Sequence, residues 1–192
     1  MLEDNRFDFD QGYACLAANA LIFFKIGQPI EVTKYDCSTE PTAMIVSQLQ
    51  SLYASQRLTL FAICATSDRN VLLTGGADTS VNNISEKAFQ LDVVENRWHD
   101  MPSLTVKRFA HSSCATPASA FVFGGYDADA KPLVSLETIK LADKRSILGN
   151  SKKKWSKFTL QNSISGRNNA LMVKLYSNDI LIIGGAANDF EP

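Results

Sequence analysis

Charge of one sign is not in excess in this chain: 19 lysines and arginines stand against 20 aspartates and glutamates, a formal net charge of −1 over 192 residues. Nucleic acid is held chiefly by basic side chains that neutralise phosphates, so such a partner is excluded beyond a local basic patch. Long apolar runs are missing as well. None approaches the about 20 residues that span a bilayer as a helix, and no membrane partner is expected. Histidine is scarce, with only His99 and His111. That is too few for the clustered Tyr, His and Cys ligands of a copper site. The four cysteines contain no CxxC-like pair, the spacing that structural zinc sites commonly use. They fit free thiols in a cytoplasmic chain better than a disulfide framework. Met1-Leu2-Glu3-Asp4 is acidic and polar, unlike the basic start and apolar core of a secretory signal. No cofactor or metal is expected.

What is present is a hydrophobic content of 45%, enough for a sizeable core, and it is organised by a repeat. Apolar runs ending in glycine occur at Leu21–Gly27, Leu72–Gly76, Phe121–Gly125 and Ile180–Gly185. Their last glycines are 49, 49 and 60 positions apart. Cys15, Cys64 and Cys114 stand 12, 12 and 11 residues before the first three of these glycines, and Val173 stands 12 before the fourth. Arg57, Arg108 and Arg167 precede the glycine pairs of the second, third and fourth units by 18, 16 and 17 residues. The clearest unit runs from Val71 to Leu104. It carries Gly75-Gly76, a polar turn, Leu91-Asp92, Trp98 and Met101-Pro102.

Val, Ile, Leu and Phe runs of four to seven residues between turn signals predict buried strands. Glycine at a strand end permits positive φ and close approach of another backbone. One large aromatic per unit suits an interface between stacked sheets. The second unit predicts strands at Leu58–Ala65, Asn70–Thr74, Lys87–Asp92 and Arg97–Met101. The third predicts Phe109–Ala115, Ala120–Phe123, Leu136–Leu141 and Trp155–Leu160. Gly12–Ala20 is the expected first strand of the first unit. Helical spacing and the repeat register compete over Thr42–Tyr53, and the register favours a strand at Ala43–Leu49. Phe7 and Phe9 alternate with charged neighbours, compatible with a frayed terminus or a closing strand.

A repeat of about 50 residues with a glycine doublet and a downstream tryptophan resembles the kelch repeat, one blade of a β-propeller. Gly75, Gly76 and Trp98 carry the resemblance in the second unit, Gly124, Gly125 and Trp155 in the third, and Gly184 and Gly185 in the fourth. The first unit departs from the pattern: Ile26 replaces one glycine, and Thr42 stands where tryptophan belongs. The resemblance implies an all-β fold, a propeller portion of about three and a half to four blades, each a four-stranded antiparallel sheet. The blade units are about 12–53, 57–104, 108–160 and an incomplete 167–192. Propellers close with four to eight blades. The expectation is therefore a fragment of a longer polypeptide with further blades, an imperfect closure, or pairing with a second subunit.

Most chemical candidates read as structure. The cysteines fit core packing. His111 and Cys114 lie three apart on one strand and so face opposite sides. Asp127 and Asp129 lack the remaining ligands of a calcium loop. The basic insertion Asp143–Lys154 reads as a solvated loop, with nuclear import, nucleic-acid contact or partner docking as the alternatives. Arg57, Arg108 and Arg167 are the partner-binding candidates. If the blades wrap an axis, these side chains share a rim, and their guanidinium forks suit an acidic peptide. The bland alternative has each arginine bonded to carbonyls or acids of the neighbouring blade. The kelch resemblance implies a non-enzymatic adaptor or scaffold that binds another protein through inter-strand loops and one rim. The alternatives are an oxidase or sugar-modifying enzyme on the same scaffold, or a mainly structural repeat.

Overall fold

The computed structural model describes residues 12–17, 19–27, 29–36, 46–52, 58–78, 83–141, 153–160 and 166–187. Arg57, Cys37, the N-terminal Phe7 and Phe9, and most of the basic insertion lie outside the described residues.

Every regular element among the described residues is a strand. The first sheet orders β1 (Gly12–Ala17), β2 (Ala20–Lys25), β3 (Ile30–Asp36) and β4 (Val46–Leu52) side by side. The second contains β5 (Ala62–Ser67), β6 (Asn70–Thr74), β9 (Ala88–Asp92) and β10 (Arg97–Met101). Between β6 and β9 a small hairpin forms from β7 (Ala77–Asp78) and β8 (Asn83–Ile84). The third sheet orders β11 (Ser112–Ala115), β12 (Ser119–Phe123), β13 (Ser135–Lys140) and β14 (Ser156–Thr159). In the fourth unit β15 (Leu171–Lys174) pairs with β16 (Ile180–Ile183) alone among the described residues. All pairings are antiparallel.

The expected strands are thus present, with shifted ends. The strand favoured within Thr42–Tyr53 is β4, which continues to Leu52 rather than stopping at Leu49. The first strands of the second and third units begin later than expected. Leu58–Phe61 and Phe109–His111 instead form a bridge and a bend before the ladder: Thr59 bridges Ala77, Phe109 bridges Tyr126, and Leu60 and Ala110 have φ of 53° and 51°.

The sheets stack face to face. The first strand of each lies against the first strand of the next, β1 on β5, β5 on β11 and β11 on β15. A sheet covered on both sides has no face for polar side chains, so its central strand reads as a continuous apolar run. Val71, Leu72 and Leu73 are all fully buried. Val71 and Leu73 join Ile22 and Phe24 in a core between the first two sheets. Leu72 joins Ala120 and Val122 between the second and third. Phe123 meets Met172 in a third core, before the fourth unit.

The repeat markers resolve into joints between units. Trp98 Nε1 donates to the Gln50 carbonyl at 2.8 Å, and its ring meets Phe24 edge-on at 6.3 Å. Trp155 Nε1 donates to the Pro102 carbonyl, also at 2.8 Å. Each tryptophan therefore ties its own sheet to the preceding unit, as expected for one aromatic per interface.

One register differs from the glycine count. Counting 49 residues from Gly27 aligns Ile22 with Val71. Strand pairing equates Ile22 with Leu72, because Cys15 pairs Ile22, Cys64 pairs Leu72 and Cys114 pairs Phe121. The six glycines of the three doublets have positive φ, whereas Gly27 is not among the positive-φ glycines. By the pairing register Lys25 and Ile26 take the positions of Gly75 and Gly76, and Gly27 lies one residue beyond them. The one-residue difference falls in the hairpin of the second sheet, where the β5–β6 register shifts between Ala65 and Ser67, so Ile22 and Leu72 are equivalent although the cysteines and the glycines of the two units are both 49 apart.

Candidate functional site

The two described arginines of the proposed rim occupy equivalent positions but different surroundings. Arg108 is fully buried. Its Nη1 donates to the Gly124 carbonyl at 2.8 Å, and its Nη2 to Ser135 Oγ at 3.0 Å. The same Nη2 meets Glu137 Oε1 at 2.7 Å, and both side chains of this ion pair are 0% exposed. Burial lowers the Arg108 pKa, and the Glu137 carboxylate opposes that shift. The expectation had Arg108 on a rim; here β12, β13 and the glycine doublet enclose its guanidinium. The acid and carbonyls that hold it belong to its own sheet.

Glu137 has a second role. Its Oε2 accepts the Thr105 backbone N–H at 2.6 Å, and its Oε1 accepts that of Val106 at 3.2 Å. One carboxylate therefore neutralises Arg108 and anchors the linker from the second sheet. The sequence alone does not announce this role. Ser135 to Ile139 alternates buried and half-buried side chains, and Glu137 falls on the buried phase, where a charge requires a partner.

Arg167 keeps the carbonyl half of this arrangement. Its Nη1 donates to the carbonyls of Gly185 at 3.0 Å and Gly184 at 3.3 Å. No ion pair to Arg167 is found among the described residues. The side chain is only half-buried. Beside it the fourth sheet is open. Leu171, Leu181 and Ile183 are 58%, 44% and 47% exposed. By strand register Ile183 is the equivalent of Phe123, which is fully buried.

The backbones of the two arginines are held alike. Gly76 N–H donates to the Arg108 carbonyl at 2.9 Å, and Gly125 N–H to the Arg167 carbonyl at 2.8 Å. A Cβ on Gly75 would lie 2.5 Å from the Arg108 carbonyl oxygen, and one on Gly124 would collide with that of Arg167. The glycine doublet of one unit is thus a socket for the arginine backbone of the next.

The other chemical candidates are engaged in packing and turns. His111 is buried with Nε2 2.9 Å from Thr74 Oγ1. Burial and then the nearby Arg108 charge push its pKa down to about 3, so the ring is neutral near pH 7. Cys15 and Cys64 are pushed up to about 12 by burial, and Cys114 is also raised by burial. Thiols shifted this way are poor nucleophiles, because the thiolate is the reactive form. Asp127 Oδ1 accepts the backbone N–H groups of Asp129 and Lys131, each at 2.9 Å, which closes its own turn. Among the described residues no group of three or more His, Cys, Asp or Glu could hold a metal ion, and no helix is long and apolar enough to cross a membrane.

No protein-family model matches this chain, and no curated protein is significantly similar to it in sequence.

Proposed function

We propose that this chain is an arc of a kelch-type propeller and serves as a protein-interaction module. The observation that carries the reading is the open fourth sheet: exposed Leu181 and Ile183 lie on the strand leading to Gly184 and Gly185, whose carbonyls hold Arg167. An apolar sheet face beside an accessible cation is a surface for another polypeptide. The repeated glycine doublets and tryptophans support the kelch resemblance, and the stacking of first strand on first strand is compatible with blades around an axis. Fold resemblance alone does not fix function, so the reading rests on the surface.

A mainly structural role is favoured at one point, the buried Arg108–Glu137 pair. The two readings separate at Arg167. Affinity capture from an extract of the source cell, quantified by mass spectrometry, is compared for the unmodified chain and Arg167→Ala. Loss of a captured protein with an unchanged melting temperature supports the interaction module. A lowered melting temperature with unchanged capture supports the structural role and removes Arg167 from the binding surface.

A further inference from the structure

Among the described residues the fourth unit has no counterpart of β13 or β14, and it is β13 that supplies the acidic partner of Arg108. In the third sheet β13 pairs with β12 so that Glu137 stands opposite Val122, Leu136 opposite Phe123 and Ile139 opposite Ala120. The Glu137 carboxylate then reaches Arg108, whose Nη1 is already on the Gly124 carbonyl. In the fourth unit Ile182 occupies the Val122 position and Arg167 the Arg108 position, with Nη1 on the carbonyls of Gly184 and Gly185. Among the described residues, the edge of β16 that corresponds to the β13 side of β12 has no strand beside it. Nor do the described residues place a carboxylate on the guanidinium there, although an equivalent geometry already holds one in the preceding sheet.

We propose that the β16 edge is a strand-docking site that accepts an extended segment of another polypeptide carrying one glutamate flanked by apolar residues. The segment adds antiparallel to β16, with the glutamate opposite Ile182 and its carboxylate on Arg167. Main-chain hydrogen bonds along the edge hold the strand, and the side chains set its register. The apolar residue before the glutamate falls opposite Ile183, as Leu136 falls opposite Phe123. Charge complementarity with Arg167 selects this occupant over a neutral strand, because an arginine fork matches a carboxylate. This inference rests on the reading of the chain as an interaction module and names the chemistry of its partner.

The test uses a fluorescent peptide with the sequence of β13 itself, Val134–Lys140, titrated into the 192-residue chain and followed by anisotropy. The expected result is saturable binding to one site. Glu137→Gln in the peptide weakens binding about tenfold, the magnitude of a lost charge-assisted hydrogen bond. Arg167→Gln in the chain weakens the glutamate peptide by the same factor and leaves the Kd of the glutamine peptide unchanged. The peptide-side substitution needs no protein variant, so the proposal remains testable if Arg167→Gln fails to fold. Absence of saturable binding overturns it, as does equal affinity for the two peptides. A chain that is already dimeric by light scattering and closed to the peptide also overturns it, assigning the edge to a second copy. Affinity capture that is unaffected by Arg167→Gln leaves the interaction module standing while the strand site falls. Capture of no protein at all sinks the module itself, and the peptide titration is then judged on its own outcome.

Discussion

The carbonyl oxygen of Arg167 accepts the Gly125 N–H at 2.8 Å and lies where a Cβ on Gly124 would have to be. Two sequence markers that recur with the same period are thus the two halves of one joint. The glycine doublet ends one sheet, and the arginine that introduces the next is seated on it. Gly75, Gly76 and Arg108 repeat the arrangement one unit earlier.

Alanine at these glycines separates backbone conformation from crowding. Gly124 has a φ of 68° and faces the Arg167 backbone, whereas Gly184, at 66°, has nothing within 4 Å of the point where a methyl group would project. Gly184→Ala is expected to lower stability by about 1 kcal/mol, the cost of a left-handed conformation for a residue with a Cβ. Gly124→Ala adds displacement of a backbone carbonyl and is expected to cost about 3 kcal/mol. Urea denaturation of both variants measures the difference.

Breaking the buried Arg108–Glu137 pair from one side leaves a charge in the core. Glu137→Leu is expected to destabilise by about 3–5 kcal/mol, and Arg108→Met by a similar amount. The double variant is expected to recover much of the loss, because no lone charge remains. It stays about 1–3 kcal/mol below the unmodified protein, since the N–H groups of Thr105 and Val106 lose their acceptor. A double-mutant cycle by chemical denaturation gives the coupling.

His111 makes stability depend on pH. Its pKa is about 3 in the folded chain, pushed down first by burial and then by Arg108, against about 6.5 when unfolded. Below that unfolded value the unfolded chain takes up a proton that the native chain refuses. The stabilising contribution of the neutral ring is therefore complete above about pH 6.5 and is lost as pH falls from there toward 3. The slope approaches about 1.4 kcal/mol per pH unit. Denaturation at a series of pH values should show this decline, and His111→Gln should flatten it.

Thiol reactivity should report unfolding rather than catalysis. Cys64 is buried, and its pKa is pushed up to about 12. At about pH 8, far below that value, its alkylation by iodoacetamide is expected to be negligible in the folded chain and to appear with the denaturation transition. Peptide mapping of pulse-labelled protein checks this residue by residue. Prompt labelling of Cys64 under native conditions would contradict the packing between the second and third sheets.

The strands were legible because sandwiched sheets leave a strong local trace. Val71-Leu72-Leu73 and Phe121-Val122-Phe123 read as continuous apolar runs, and each packs on both faces of its sheet. Trp98 and Trp155 were legible as interface residues because a large aromatic recurring once per unit has few other uses. The fate of the rim arginines was not legible. Arg108 and Arg167 stand at nearly the same distance from a glycine doublet, yet one is enclosed by Glu137 and Ser135 and the other is reachable. The difference comes from β13, whose Glu137 lies 29 positions beyond Arg108 and meets it only after the sheet has formed.

Local sequence was enough to specify an all-β chain built on a repeat, with strand positions set by apolar runs and breaks set by glycine. Those features follow from local sterics and from the alternation of side chains, which each segment carries wherever it sits. Packing of the sheets was needed to establish that glycine and arginine markers meet across units, and strand pairing that an extra residue in the β5–β6 hairpin offsets the second unit from the first. Packing also closes the site of Arg108 with Glu137 while Arg167 remains open. Burial and ion pairing depend on residues distant in the chain, so no local pattern could assign them.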